Sequence, residues 1–147
     1  MEETNLREKE DERMVSEAYQ HLIDSYLASH HRKHTEIIDK AFHFAKEAHK
    51  GVRRLSGEPY IMHPIAVARI IAEELELGAN PIIASFLHDV VEDTPTTSQE
   101  IREMFGEDVE HLVDGVTKLG QIPLSASKEE QQSENVRKMF LAMSRDI

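Results

Sequence analysis

The sequence of 147 residues contains no cysteine and no tryptophan, and only 5% of its residues are aromatic. The absence of cysteine excludes a disulfide framework and a thiolate metal site, so any transition metal would be held by imidazole and carboxylate groups. No stretch approaches the roughly 20 apolar residues of a bilayer span. Residues 1–10 are acidic and lack the apolar segment of a signal peptide. We therefore expect a cytoplasmic protein that does not enter a membrane.

Positive charge is also scarce, since 17 Lys and Arg residues face 28 Asp and Glu residues and the net charge is −11. A duplex nucleic acid needs clustered basic residues on one face, so this composition argues against nucleic-acid binding. Residues 46–54 (KEAHKGVRR) are the exception, with four basic side chains and Glu47 as the one acid. Two interpretations remain open: a binding site for a phosphorylated small molecule, or a solvated helix end whose cations complement the helix dipole.

Apolar residues at helical spacing are abundant, and no strand-like alternation is present. The predicted fold class is therefore all-α, a helical bundle. Glycine, proline and N-capping residues supply the helix boundaries, among them Asn80 before Pro81, and Thr97 three residues before Glu100. The predicted helices are 13–29, 35–50, 64–77, 81–92, 97–105 and one after Gly106.

The C-terminal part of the sequence differs from the rest. Residues 121–133 are polar and contain a proline, which is typical of a mobile loop. From Glu134 onward, apolar residues again fall on one helical face, but the sequence stops in the middle of this pattern. We interpret residues 1–147 as a single domain from a longer protein, with 1–30 as an N-terminal helical extension and the final helices missing. The exposed apolar face of the last helix would favour a homodimer or local disorder.

The residues with the most chemical content are His63, the His88-Asp89 pair and the Glu92-Asp93 pair. His88 and Glu92 are four residues apart and share a helical face, whereas Asp89 lies about 100° around the helix from His88. An imidazole and a short carboxylate can hold one ion over the ridge between them, and His63, at the start of a neighbouring helix, can add a third ligand. Mixed nitrogen and oxygen ligation favours manganese, iron, or zinc with open positions.

The acidic pair Glu92-Asp93 would lie beside such an ion. A carboxylate there can take a proton from an attacking water and return it to the leaving group, which predicts metal-assisted hydrolysis of a phosphate ester or anhydride. Each residue alone has an ordinary structural explanation, such as a helix start, a core hydrogen bond or a solubilising charge. Together they favour the metal site, because acids at a helix C-terminus oppose the dipole and unpaired buried charge is costly. The other histidines show no such arrangement in the sequence: His21, His30, His31, His34, His43, His49 and His111.

Four segments in order resemble the N-terminal hydrolase domain of the RelA/SpoT homologues, which synthesise and hydrolyse the alarmones guanosine tetra- and pentaphosphate. They are AHKGVRRLSGEPYIMHP, ANPIIASFLHDVVEDT, FGEDVEHLVDGVTKL and SENVRKMFLAM. The resemblance covers roughly residues 30–147, and it implies the HD superfamily of metal-dependent phosphohydrolases, whose signature is a His, a His-Asp pair and a distant Asp.

The resemblance implies a role for each residue of the site. His63, His88 and Asp89 would be ligands of Mn²⁺, and Glu92 and Asp93 would activate water at the 3′-diphosphate. The reaction implied is release of pyrophosphate from the ribose 3′-oxygen of the alarmone, leaving GDP or GTP.

The resemblance also implies that Arg54 stacks on the guanine and that Ser56 lies near the base. Leu55 departs from the family, which often has a basic residue here. The family's fourth ligand is an Asp in an L-A-D-R-L-H-N-M segment beyond the end of this sequence, and Asp146 does not match it. We therefore expect weak or absent activity from these residues alone, and a synthetase domain in the full-length protein.

Two alternative functions are consistent with the same residues. Another HD-type nucleotide phosphohydrolase would share the metal site without needing the loop from Arg54 to Tyr60. A non-catalytic, regulatory nucleotide-binding domain is the second alternative. The acidic pair Glu92-Asp93 argues against it, and Leu55 mildly favours it.

Overall fold

The computed structural model describes residues 2–29, 34–74 and 78–121, apart from the side chains of 2–4 and 117–121. Within these ranges the protein is built from helices and contains no β-sheet, only an isolated bridge between Arg53 and Pro59. The prediction of an all-α fold is confirmed. The six helices are α1 (Glu2–Ala28), α2 (Thr35–Ala48), α3 (Met62–Glu73), α4 (Ala79–Asp93), α5 (Ser98–Phe105) and α6 (Glu107–Gln121).

Helix α4 is the centre of the bundle and packs against α2, α3 and α6. Its apolar residues surround most of its circumference, so it can be covered on several sides at once. Every residue from Pro81 to Leu87 is buried. The ring of Phe86 meets the rings of Tyr19 and Phe42 edge-on, at centroid distances of 6.4 and 5.8 Å. The core therefore fixes α4, and this also fixes the backbone of the residues that follow Leu87.

Helix α1 is longer than the prediction of 13–29 and begins eleven residues earlier, at Glu2. Its second half contributes Val15, Leu22 and Tyr26 to the main core, so α1 belongs to the bundle rather than lying apart from it. Its first half is polar and has no apolar stripe for sequence analysis to detect. Ion pairs connect this half to the following helix and loop, as described below.

The starts of α5 and α4 test the predicted helix boundaries, and one prediction was right and the other wrong. Thr97 is the N-cap of α5, and its hydroxyl accepts the backbone N–H of Glu100 at 3.2 Å, as predicted. Asn80 was wrongly predicted as an N-cap, because Gly78 holds that position and α4 begins at Ala79. Pro81 is consequently the third helical residue, where its missing N–H is still harmless since the first four N–H groups have no partner within the helix.

Predictions for residues 122–147, including the polar loop and the final amphipathic helix, lie outside the described residues. Within the described part of the chain, none of the helices combines the length and apolar character that crossing a bilayer requires.

Candidate metal and catalytic site

The last turns of α4 bring a carboxylate between two imidazoles. The Asp89 Oδ1 atom lies 3.9 Å from Nε2 of His88, and its Oδ2 atom lies 3.9 Å from Nε2 of His63 on α3. All three side chains are largely buried, between 13 and 17% exposed. Side chains from two consecutive helices, α3 and α4, therefore converge on one carboxylate.

Glu92 completes this cluster from the next turn of α4. Its Oε2 atom lies 3.6 Å from Nε2 of His88. One ligand atom from each of His88, Asp89 and Glu92 lies within 4.8 Å of the others, which is close enough to hold a metal ion. The donor set is one imidazole nitrogen and two carboxylate oxygens, with His63 beside Asp89. Such nitrogen and oxygen donors suit a divalent ion of the manganese, iron or zinc type. The structure thus contains a possible His/Asp/Glu metal site.

Tyr60 reaches the same cluster from the loop before α3. Its hydroxyl donates to Oδ2 of Asp89 at 2.7 Å. Burial, and then this hydrogen bond, raises the pKa of Tyr60 well above its usual range, and the negative charges of Asp89 and Asp93 act in the same direction. Tyr60 therefore keeps its proton and acts as a donor. Sequence analysis placed this tyrosine in a motif but gave it no role.

Asp93, the second member of the acidic pair, faces a different partner from Glu92. Its Oδ2 atom lies 3.2 Å from Nε2 of His49, at the end of α2. His49 was not among the site residues predicted from the sequence. The two residues are 44 positions apart, and the packing of α2 against α4 creates the contact. The one local signal was an imidazole directly after a run of helix-forming residues.

Arg54 and Ser56 lie together in the tight loop that precedes Tyr60. The Arg54 Nη1 atom is 3.2 Å from Oε1 of Glu58, and the Ser56 hydroxyl donates to the same oxygen at 3.1 Å. Gly57 has a φ of +96°, a backbone conformation that favours glycine. Leu55, between the two polar residues, is fully exposed. The charge of Arg54 lowers the pKa of Tyr60 against the larger opposing effects, so the loop lies within electrostatic reach of the cluster.

The basic segment 46–54 is tied to the first half of α1. The Lys46 ammonium lies 2.9 Å from a carboxylate oxygen of Glu12, and the Arg53 guanidinium pairs with Asp11. Two of the four basic side chains are thus neutralised by acids, which favours a structural role for them over phosphate binding. Arg54 faces the other way, toward Glu58, and keeps its place as a substrate-binding candidate.

The chain belongs to the HD domain family, whose model matches residues 41–147. Over 120 residues it is 49% identical to a protein of Aquifex aeolicus named guanosine-3′,5′-bis(diphosphate) 3′-pyrophosphohydrolase, which covers 82% of this chain and 16% of that protein. Over 131 residues it is 45% identical to the bifunctional (p)ppGpp synthase/hydrolase SpoT of Escherichia coli K12, which covers 89% of this chain and 18% of that protein. These relatives confirm the resemblance found in the sequence.

A solved structure is also similar, with a TM-score of 0.62 and 28% identity, covering 75% of this chain and 67% of that one. Its description names a metazoan ortholog of SpoT that hydrolyzes ppGpp. The chain spans about 15 to 18% of the length of the curated relatives it matches.

Proposed function

We propose that this chain forms a hydrolase domain that removes the 3′-diphosphate of guanosine tetra- and pentaphosphate, releasing pyrophosphate and leaving GDP or GTP. The observation that carries the proposal is the position of Asp89 between His63 and His88, with Glu92 and Asp93 alongside. This cluster lies in a chain that is 45 to 49% identical to relatives named for that hydrolysis.

Mn²⁺ is the metal we propose, held by His63, His88 and Asp89. The nitrogen and oxygen donors fit this ion, and Asp89 lies 3.9 Å from each of the two imidazoles. A divalent cation supplies two things when bound here: it lowers the pKa of water, and it offsets negative charge on a phosphate. Glu92 is close enough to join the ligands or to face a water beside them.

The acidic pair would move protons. We assign to Glu92 and Asp93 the removal of a proton from the attacking water and its return to the departing 3′-oxygen. Both side chains are exposed enough to meet a substrate, at 40 and 51%. Both also stand on a helix whose preceding turns are buried, which fixes the backbone that carries them.

Substrate recognition falls to the loop around Arg54 and Ser56. Stacking on a guanine uses the flat face of the guanidinium group, whereas the ion pair with Glu58 uses its edge, so both contacts can exist together. Ser56 follows the exposed Leu55 and would lie close to a guanine that stacks on Arg54. A cytoplasmic location, a synthetase domain elsewhere in the protein and a homodimer through 136–147 remain predictions.

The test is an assay of pyrophosphate release from guanosine tetraphosphate by the 147-residue chain at high protein concentration, with Mn²⁺ and with EDTA. GTP serves as the competing substrate. We expect slow release from the alarmone with Mn²⁺, little reaction with GTP, and loss of about 10²- to 10⁴-fold in Asp93→Asn, as for removal of a general acid or base.

Metal binding is measured in parallel, by the electron paramagnetic resonance of free Mn²⁺. We expect His88→Ala to bind at least about 10-fold more weakly. His111→Ala is the matched control, because His111 also lies four residues from a glutamate, Glu107, at 3.5 Å, and both side chains are exposed.

Two results would replace the proposal with its alternatives. Equal hydrolysis of GTP and of the alarmone would indicate a general nucleotidase. Binding of Mn²⁺ and alarmone without any release of pyrophosphate, by this chain and by the full-length protein alike, would indicate a regulatory domain.

A further inference from the structure

His49 is a buried polar residue whose two ring nitrogens are both engaged. It closes α2 as the C-cap and is only 5% exposed. Its Nδ1 atom lies 3.2 Å from the carbonyl oxygen of Ala45, one helical turn earlier, and its Nε2 atom lies 3.2 Å from Oδ2 of Asp93. A fully buried imidazole with two such contacts is held in one orientation.

The chemistry of these partners defines what each nitrogen does. The Ala45 carbonyl can only accept a hydrogen bond, so Nδ1 must donate to it. The second contact joins Nε2 to Oδ2 of Asp93, so that the other carboxylate oxygen, Oδ1, is left for other contacts.

Asp93 needs such a partner because its own surroundings do not fix it. It is the last residue of α4, and its side chain is 51% exposed. Glu92, by contrast, lies beside His88 within the cluster. Without a contact on Oδ2, the short side chain of Asp93 would be free to change rotamer at the helix end.

The ring of Tyr60 supports this contact from one side. The centroids of the His49 and Tyr60 rings are 4.6 Å apart, with 35° between their planes. Tyr60 in turn donates to Asp89. The imidazole is therefore held between the end of α2 and Tyr60, so that Asp93 and Asp89 each contact one of two adjacent rings.

We propose that His49 is a positioning residue for the hydrolysis reaction: it holds Asp93 through Oδ2, so that Oδ1 faces the substrate. This inference rests on the proposed function of the domain, in which Asp93 transfers a proton. Groups that orient the reacting side chains of a site change the rate by about 10- to 100-fold when they are removed.

The test uses two substitutions of His49 in the 147-residue chain. His49→Phe keeps a ring against Tyr60 but removes both hydrogen bonds, and it should lower kcat about 10- to 100-fold while KM and the affinity for Mn²⁺ stay unchanged. His49→Gln places an amide N–H near the position of Nε2 and should restore part of kcat. His43→Phe, on the exposed face of the same helix, is the matched control and should leave kcat unchanged.

A second measurement does not depend on turnover. In the ¹⁵N spectrum of the histidine rings, Asp93→Asn should shift the Nε2 resonance of His49 and leave the signals of His43 in place. A wild-type kcat in His49→Phe, or an Nε2 signal that ignores Asp93→Asn, would overturn the inference. Absence of alarmone hydrolysis by the full-length protein would instead overturn the proposed function, and the ring signals would still show whether His49 holds Asp93.

Discussion

The two halves of α4 are made differently although they form one continuous helix. From Pro81 to Leu87 every residue is buried and no side chain is charged. From His88 to Asp93 two-thirds of the residues carry titratable groups, and the apolar exceptions are Val90 and Val91. Helix α4 packs on α2, α3 and α6, and its buried first half is continuous with the half that carries the charged groups.

The difference shows how a helical domain can hold a charged site that does not stabilise it. Carboxylates at the C-terminal end of a helix oppose the helix dipole. Asp89 and Glu92 also place two negative charges together when no cation is present. The packed half must therefore provide the stability that the charged half lacks.

The largest expected effect is at Leu87, the last residue of the packed half, directly before His88 in the charged half. Leu87 is fully buried, so Leu87→Ala should lower the free energy of unfolding by about 2 to 5 kcal/mol through lost burial and a cavity. The affinity of the folded protein for Mn²⁺ should be largely kept. Urea denaturation followed by circular dichroism measures the first quantity, and Mn²⁺ titration measures the second.

Leu27→Ala is the control for this experiment, because Leu27 is 42% exposed on α1. It should change stability by no more than about 0.5 kcal/mol. If Leu87→Ala weakened Mn²⁺ binding as strongly as His88→Ala does, the two halves would not be independent.

The same division explains how much could be read from the sequence. The packed half of α4 follows from local rules, because its apolar residues recur at helical spacing over a full helix length. His63, His88 and Asp89 could be grouped because the titratable residues within an apolar segment needed an explanation. The partner of Asp93 could not be found, because it depends on how α2 lies across α4.

The loop before α3 and the first half of α1 were less predictable, because both depend on contacts between residues far apart in the sequence. The first half of α1 has no apolar face, so its helical structure is supported by contacts such as Asp11 with Arg53 that no local pattern encodes. The hydrogen bond from Tyr60 to Asp89 spans 29 residues and likewise appears only in three dimensions. The candidate ligands could be named from the sequence, whereas the residues that contact them could not.

An intermediate effect tests whether the charged half depends on its neighbours. Tyr60→Phe removes the donor to Asp89 and should weaken Mn²⁺ binding or slow turnover by about 10-fold, the lower end for partners of metal ligands. Because burial and the bond to Asp89 raise the pKa of Tyr60, the hydroxyl stays protonated from about pH 6 to about pH 9. The effect of the substitution should therefore be constant across that range.

Tyr19→Phe is the matched control, since the Tyr19 hydroxyl also donates to an aspartate, Asp39, but outside the site. It should leave Mn²⁺ binding unchanged. An equal loss in both variants would mean that the hydroxyl of Tyr60 acts on the fold as a whole and not on Asp89.

The smallest expected effect concerns the sign of a stability change. In EDTA, Glu92→Gln should raise the free energy of unfolding by about 0.3 to 1 kcal/mol, because it relieves an unfavourable dipole interaction and the repulsion from Asp89. The opposing attraction to His88 acts over 3.6 Å from a side chain that is 40% exposed, and such pairs contribute little.

Glu47→Gln, in the last turn of α2, removes the dipole interaction alone and should stabilise less. With Mn²⁺ present the order should reverse, since the ion offsets the charge of Glu92 in the wild type. A less stable Glu92→Gln in EDTA would show that the imidazole contact outweighs the repulsion and that the charged half of α4 supports itself.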